Sequence, residues 1–117
     1  MIFRELYLKA LDNVYTELYT IDMRIFRKPI QFEWDAGNNG KNLQKHGVTD
    51  EECEEVFYDR DKKIMKGVYH SKVESRFILI GQTKIQRLLF LVFAMRGKKI
   101  RVVSARDLNN KEKKLYK

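Results

Sequence analysis

Five arginines give the C-terminal half of the chain side chains that are suited to phosphate chemistry. Residues 67–117 hold 13 Lys and Arg against 3 Asp and Glu, a balance of +10, whereas residues 31–66 carry −3. The guanidinium stays charged at any physiological pH, and its fork matches two phosphate oxygens. This pattern favours a polyphosphate ligand, most commonly RNA. The alternative is a basic protein whose lysines serve only solubility, and charge alone does not separate the two. The five are Arg76, Arg87, Arg96, Arg101 and Arg106.

Proton transfer near neutral pH is the ordinary chemistry of histidine, and the chain has two, His46 and His70. Together with the nearby carboxylates they show no recognised metal-ligand spacing, so the sequence predicts neither a metal site nor a cofactor. The one cysteine, Cys53, excludes an intramolecular disulfide and fits a reducing compartment.

The composition is typical of one globular domain in the cytoplasm. The chain has 117 residues, of which 44% are hydrophobic and 34% charged. Its longest strongly apolar run, Leu88 to Met95, is too short to cross a membrane. Charged residues from Arg4 onward interrupt any signal-peptide core.

The first half of the chain reads as helices around one short strand. Apolar residues recur every three or four positions over 2–21, which predicts an amphipathic helix. The alternation in 31–35 predicts a strand, and Gly47 suits the end of a helix over 41–46. Thr49 and Glu52 form a capping box for a helix that runs to about residue 58 and buries Cys53.

The second half reads as a row of strands followed by a helix. Residues 62–70 suggest an edge strand, and residues 76–80 a strand ending at Gly81. The most apolar run, 87–95, predicts a central strand covered on both faces. Strand 99–105 should follow a turn at Gly97, with Ile100, Val102, Ser104 and Arg106 on one side, and Asp107 or Asn109 should cap a helix over 111–116. The expected fold is α+β, an antiparallel β-meander of about four strands with N-terminal helices and a C-terminal helix packed around it.

The order of short motifs resembles the BrnT family of toxins from type II toxin–antitoxin systems. The matching motifs are FEWD at 32–35, NLQKHGVT at 42–49, VFYD at 56–59, HSKVESR at 70–76, IGQT at 80–83, RGKKIRVVSAR at 96–106 and the closing Leu115-Tyr116. The resemblance covers 31–117 as a toxin domain and leaves 1–30 as a helical extension, either a native helix or the result of a start placed at Met1 instead of Met23. One departure is Asn38, where the family tends to have Lys.

The resemblance implies a RelE-like fold and an endoribonuclease that inhibits translation by cleaving RNA. It also implies neutralisation by a BrnA-like ribbon-helix-helix antitoxin, through which the toxin reaches operator DNA. Two rivals stay open: a catalytically inactive partner that acts only as co-repressor, and a general RNA-binding module.

The family's arginines correspond to Arg76 and Arg106, which flank one intervening strand and are therefore expected to clamp the scissile phosphate. The alternative for these two arginines is an ion pair with Glu74, Glu112 or Asp107.

The remaining candidates would move protons or contact the RNA. His46, His70 and Glu74 are candidate acids or bases, although His46 also fits a helix end and His70 a loop hydrogen bond. By analogy with RelE-like folds, Tyr116 would stack on a base or transfer a proton, and the alternative is that it packs against the sheet. The expected RNA-backbone contacts are Lys41, Lys45, Arg96 and Arg101.

Overall fold

A computed structural model describes residues 30–66 and 76–116. The expected helix over 2–21 lies outside these ranges, as do His70 and Glu74. Within them, no helix is long and apolar enough to span a bilayer. The elements are β1 (Gln31–Phe32), α1 (Lys41–His46), α2 (Asp50–Glu55), a 3-10 helix (Val56–Tyr58), β2 (Lys63–Lys66), β3 (Arg76–Gln82), β4 (Leu88–Arg96), β5 (Lys99–Asp107) and α3 (Asn110–Tyr116).

The α+β class is confirmed, but the sheet has five strands and is mixed, so the expected antiparallel sheet of about four strands is wrong. The strand order is β1-β5-β4-β3-β2. The two-residue β1 pairs in parallel with β5, with Gln31 opposite Lys99 and Phe32 opposite Ile100. These partners are far apart in sequence, and a local pattern cannot reveal such a pairing.

The central strand is β4, as the sequence predicts, and its two faces belong to two hydrophobic cores. Leu91 and Phe93 pack with residues of α2 and the 3-10 helix, among them Cys53. Phe90 lies in the second core, together with Leu115 of α3. Alternate side chains of β4 therefore point to opposite faces of the sheet and pack against helices on both faces.

The expectation that Ile100, Val102, Ser104 and Arg106 share one side of β5 is wrong, because the strand contains a β-bulge. The register with β4 shifts between Val92 and Phe93, so that Val102 lies opposite Phe93 and Ser104 opposite Val92. The extra residue reverses the side-chain alternation. Ile100 and Val102 therefore face one core, and Ser104 and Arg106 point to the opposite face.

The predicted helix ends are largely confirmed. Gly47 ends α1 with φ 67°, and Thr49 with Glu52 forms the capping box of α2. At α3, Asn109 Oδ1 accepts from the Glu112 amide at 2.8 Å, so Asn109 is the cap. The expectation that Gly81 ends a strand is wrong, because β3 continues to Gln82. Gly81 instead allows close packing, since a Cβ there would lie 3.1 Å from the Val56 carbonyl oxygen.

Candidate functional site

A concave pocket of about 290 Å³ lies between α1 and one end of the sheet. Its walls come from the Gly37–Asn38 turn, from α1, from the ends of β3 and β4, and from the bulged segment of β5. Six of the ten side chains proposed from the sequence line it, namely Lys41, Lys45, His46, Arg76, Arg96 and Arg101. The fold therefore gathers most of the candidate residues into one basic cavity.

Helix α1 supplies one wall of this pocket. Lys41 and Lys45 are four residues apart and share a helical face, and His46 is the last helical residue. Among the described residues, neither ammonium group and neither ring nitrogen of His46 has a hydrogen-bond or ion-pair partner. Nothing in residues 30–66 and 76–116 therefore competes with a ligand for these three side chains.

Two buried asparagines, neither of them a candidate site residue, hold α1 against β5. Strand β1 pairs with only the first two residues of β5, and beyond them side chains take the place of a neighbouring strand. Asn38 Nδ2 donates to the Val102 carbonyl at 3.2 Å, and Asn42 Oδ1 accepts from the Ala105 amide at 2.9 Å. These bonds satisfy backbone groups on both sides of the bulge. In the sequence both residues resemble ordinary turn or helix-surface asparagines, so no local signal identifies them.

Strands β3, β4 and β5 place Arg76 and Arg101 on either side of the same small residue. Arg76 lies opposite Ala94, and Ala94 lies opposite Arg101. Two strand spacings put their Cα atoms about 10 Å apart on one face. The structure therefore pairs Arg76 with Arg101 at this end of the sheet.

Two carboxylates that were not among the candidate site residues form ion pairs with two of the three arginines of the pocket. Arg101 forms ion pairs with Glu33 at 3.1 Å and with Asp35 at 2.8 Å, and Arg96 pairs with the same Glu33 oxygen at 3.1 Å. The hydrogen bond from Arg101 lowers the pKa of Asp35 and raises the pKa of Arg101. Both groups are therefore charged at any pH at which the protein is expected to work.

Arg106 lies outside the pocket and shows the ion pair that the sequence analysis gave as its alternative. Its two terminal nitrogens donate to Glu112 at 2.8 and 2.7 Å, and its guanidinium lies 4.3 Å from the centre of the Phe90 ring. It pairs with Phe90, four residues along β4 from Ala94. That offset is about 13 Å along the strands. A clamp formed by Arg76 and Arg106 on one phosphate does not fit this arrangement.

Tyr116 also lies away from the pocket. Its hydroxyl donates to Asp59 Oδ2 at 2.7 Å, and Gln82 Oε1 lies 3.4 Å from the same oxygen. Burial, followed by the Asp59 contact, raises the pKa of Tyr116 well above its usual range. The side chain therefore joins α3 to the opposite end of the sheet.

A second hollow, of about 660 Å³, has the opposite charge. Its acidic lining residues are Glu51, Glu54, Glu55 and Asp59. A polyanion is repelled from such a surface and attracted to the basic pocket. Among residues 30–66 and 76–116, no three His, Cys, Asp or Glu side chains are grouped so that they could hold a metal ion.

Comparison with known proteins gives the family. The sequence model described as "Ribonuclease toxin, BrnT, of type II toxin-antitoxin system" matches residues 34–112, more than half of the chain. No curated protein matches the chain significantly. The matched span contains every residue that lines the basic pocket, including those of α1 and of the strands that carry Arg76 and Arg101. The chain therefore belongs to the BrnT family of ribonuclease toxins of type II toxin–antitoxin systems.

Proposed function

We propose that this chain cleaves RNA in the basic pocket by metal-independent phosphodiester transfer, and that this cleavage inhibits translation in the cytoplasm. The observation that carries the proposal is the convergence of five Lys or Arg side chains and one His in a single cavity. In this scheme the fold is the RelE-like arrangement that the motifs imply.

The pocket offers the groups that RNA cleavage needs. The 2′-oxygen attacks phosphorus as a base takes its proton, the bond to the 5′-oxygen breaks, and an acid protonates that oxygen. Arg76 and Arg101 are placed to stabilise the added negative charge on the phosphate. His46 is the candidate acid or base in the described pocket, and Lys41 and Lys45 would contact flanking phosphates.

His70 and Glu74 keep their proposed roles as a second acid or base. They lie six and two residues before Arg76 in the chain, and Arg76 lines the pocket. In contrast, the contacts of Arg106 and Tyr116 support positions in the scaffold.

The test is inducible expression followed by growth and RNA integrity. We expect arrest with RNA cleavage for the wild type, and a loss of cleavage by a factor of about 100 or more in His46→Ala and in Arg76→Ala. Arg60→Ala, which removes an exposed arginine outside the pocket, is the matched control and should stay toxic. Folded wild-type protein that neither arrests growth nor cuts RNA would refute the proposal and favour the co-repressor role.

We further propose that the inhibitor is a BrnA-like ribbon-helix-helix antitoxin. The family supports an antitoxin partner in general terms. Co-expression of that antitoxin should restore growth, and the purified complex should bind operator DNA while the toxin alone does not. A complex that forms but leaves RNA cleavage unchanged would contradict this part.

A further inference from the structure

The guanidinium of Arg101 is held on one edge by two carboxylates. Nη1 donates to Asp35 Oδ2 at 2.8 Å and to Glu33 Oε2 at 3.1 Å, and Nη2 donates to Asp35 Oδ1 at 3.0 Å. The Arg101 side chain is 14% exposed. Its position is therefore defined by an end-on fork to Asp35 and a further bond to Glu33.

The other edge of the same guanidinium carries its remaining donors, and Arg101 lines the basic pocket. These bonds use three of the five N–H groups that an arginine carries. The Nε hydrogen and the second Nη2 hydrogen have no partner among the described residues. They form the side-on fork, which fits two oxygens of one phosphate. Arg101 can therefore bind a phosphate without releasing either carboxylate.

The carboxylates are themselves fixed by neighbouring backbone and side chains. The Gly37 amide donates to Asp35 Oδ1 at 2.7 Å, and Asn38 Oδ1 accepts from the Asp35 amide at 2.8 Å. A Cβ at Gly37 would lie 2.7 Å from Arg101 Nη2, so a glycine there leaves room for the guanidinium. Glu33 is held in turn by Arg96. Several independent contacts therefore set the orientation of Arg101.

We propose that Glu33 and Asp35 are positioning residues that hold Arg101 for the phosphate undergoing cleavage, at the expense of affinity for RNA. This inference rests on the proposed ribonuclease function of the pocket. Two negative charges beside a phosphate site weaken RNA binding, since like charges repel. A fixed guanidinium stabilises the transition state more than the ground state, because it does not have to reorient as negative charge develops on the phosphate. The two carboxylates should therefore weaken RNA binding and raise kcat.

The test separates those two effects with Asp35→Asn, Glu33→Gln and the double variant. We expect the double variant to bind a 2′-O-methyl RNA oligonucleotide several-fold more tightly, and its kcat on the unmodified oligonucleotide to fall by roughly 10- to 100-fold. The matched control is Glu51→Gln/Asp61→Asn, which removes two carboxylates that form no hydrogen bond with Arg101. It should leave kcat unchanged.

A double-mutant cycle distinguishes positioning from a purely structural role. If the carboxylates act through Arg101, Asp35→Asn should cost much less kcat in an Arg101→Lys background than in the wild type, since the fork is already lost. Asp35→Glu should restore part of the kcat that Asp35→Asn loses. Melting temperatures show whether each variant is folded.

Three outcomes would overturn the inference. These are an unchanged kcat in the folded double variant, equal costs of Asp35→Asn in both backgrounds, and weaker RNA binding when the carboxylates are removed. An inactive wild type would refute the proposed function itself, and the inference with it. If the wild type cleaves RNA and the carboxylate variants have the same kcat as the wild type, the inference is refuted and the proposed function stands.

Discussion

Arg106 donates two hydrogen bonds to Glu112, and this carboxylate has no exposed surface at all. Glu112 also accepts from the Asn109 amide at 2.9 Å, which completes the cap of α3. One buried carboxylate thus joins the end of β5 to the start of the C-terminal helix. Arg106, one of the two arginines expected to clamp the phosphate, therefore holds α3 to the sheet.

The first prediction is that Arg106→Ala destabilises the protein by about 2 to 3 kcal/mol. The change leaves the buried Glu112 charge without its guanidinium, and the partial exposure of Arg106 reduces the cost below that of a fully buried pair. Urea unfolding measures it. Arg106→Met/Glu112→Leu should recover most of the stability, because apolar residues of similar volume can replace a buried pair. If this folded double variant still cleaves RNA, Arg106 is structural. If it is inactive, Arg106 acts in catalysis after all.

The second prediction concerns the asparagines that border the bulge of β5. Asn42→Ala removes the acceptor of the Ala105 amide and should lower the free energy of unfolding by about 1 to 3 kcal/mol. Amide hydrogen exchange should become faster at Ala105. Leu43→Ala is the control, since that neighbouring side chain is 54% exposed and should change stability little. Unchanged exchange at Ala105 would show that another group satisfies this amide.

The third prediction assigns a phosphate contact to Lys45. If its ammonium meets the RNA backbone, Lys45→Ala should reduce the slope of log affinity against log salt by about 0.7, the value for one contact to a single strand. The control is Lys113→Ala, an exposed lysine of α3 that does not line the pocket. Equal salt slopes for wild type and Lys45→Ala would remove this residue from the interface.

The fourth prediction is a loss of stability at acidic pH that depends on Asp107. Arg87 donates to Asp107 at 2.6 Å and holds the pKa of that carboxyl below its usual 3.8. A depressed pKa in the folded state gives stability that is present above 3.8 and is lost as the pH falls through the lowered value. The Asp107 side chain is 60% exposed. The contribution of this ion pair to the free energy of unfolding should therefore stay below about 1 kcal/mol.

This pH dependence can be measured by chemical unfolding from neutral pH downward. Asp107→Asn should be less stable than wild type at neutral pH, and the difference should narrow below pH 3.8. A gap between wild type and Asp107→Asn that is constant with pH would contradict the role of the charged form.

The fifth prediction is that Cys53 is inert in the folded protein. Its side chain has no exposed surface, and burial raises the pKa of the thiol to about 12. Since the thiolate is the reactive form, alkylation at pH 8 should be very slow and should become fast in denaturant. Fast labelling of the native protein would show that the helix layer over Cys53 opens readily.

The sequence by itself determined the local elements and the types of residue in the site. The extents of the central strand, of α1 and of α3 followed from periodicity and caps, because hydrophobic patterns and helix ends depend on neighbouring residues. The motifs identified the family, and the charge distribution indicated a basic binding surface before any contact was known.

Only the tertiary structure decided which of these residues meet. The bulge in β5 sets the face on which Arg106 lies, and the pairing of three strands brings Arg76 near Arg101. The same packing lets Asn42 accept a hydrogen bond from β5 and pairs Arg106 with Glu112. Such choices depend on register and on contacts between distant segments. A one-residue shift moves a side chain to the other face, so no local pattern could determine them.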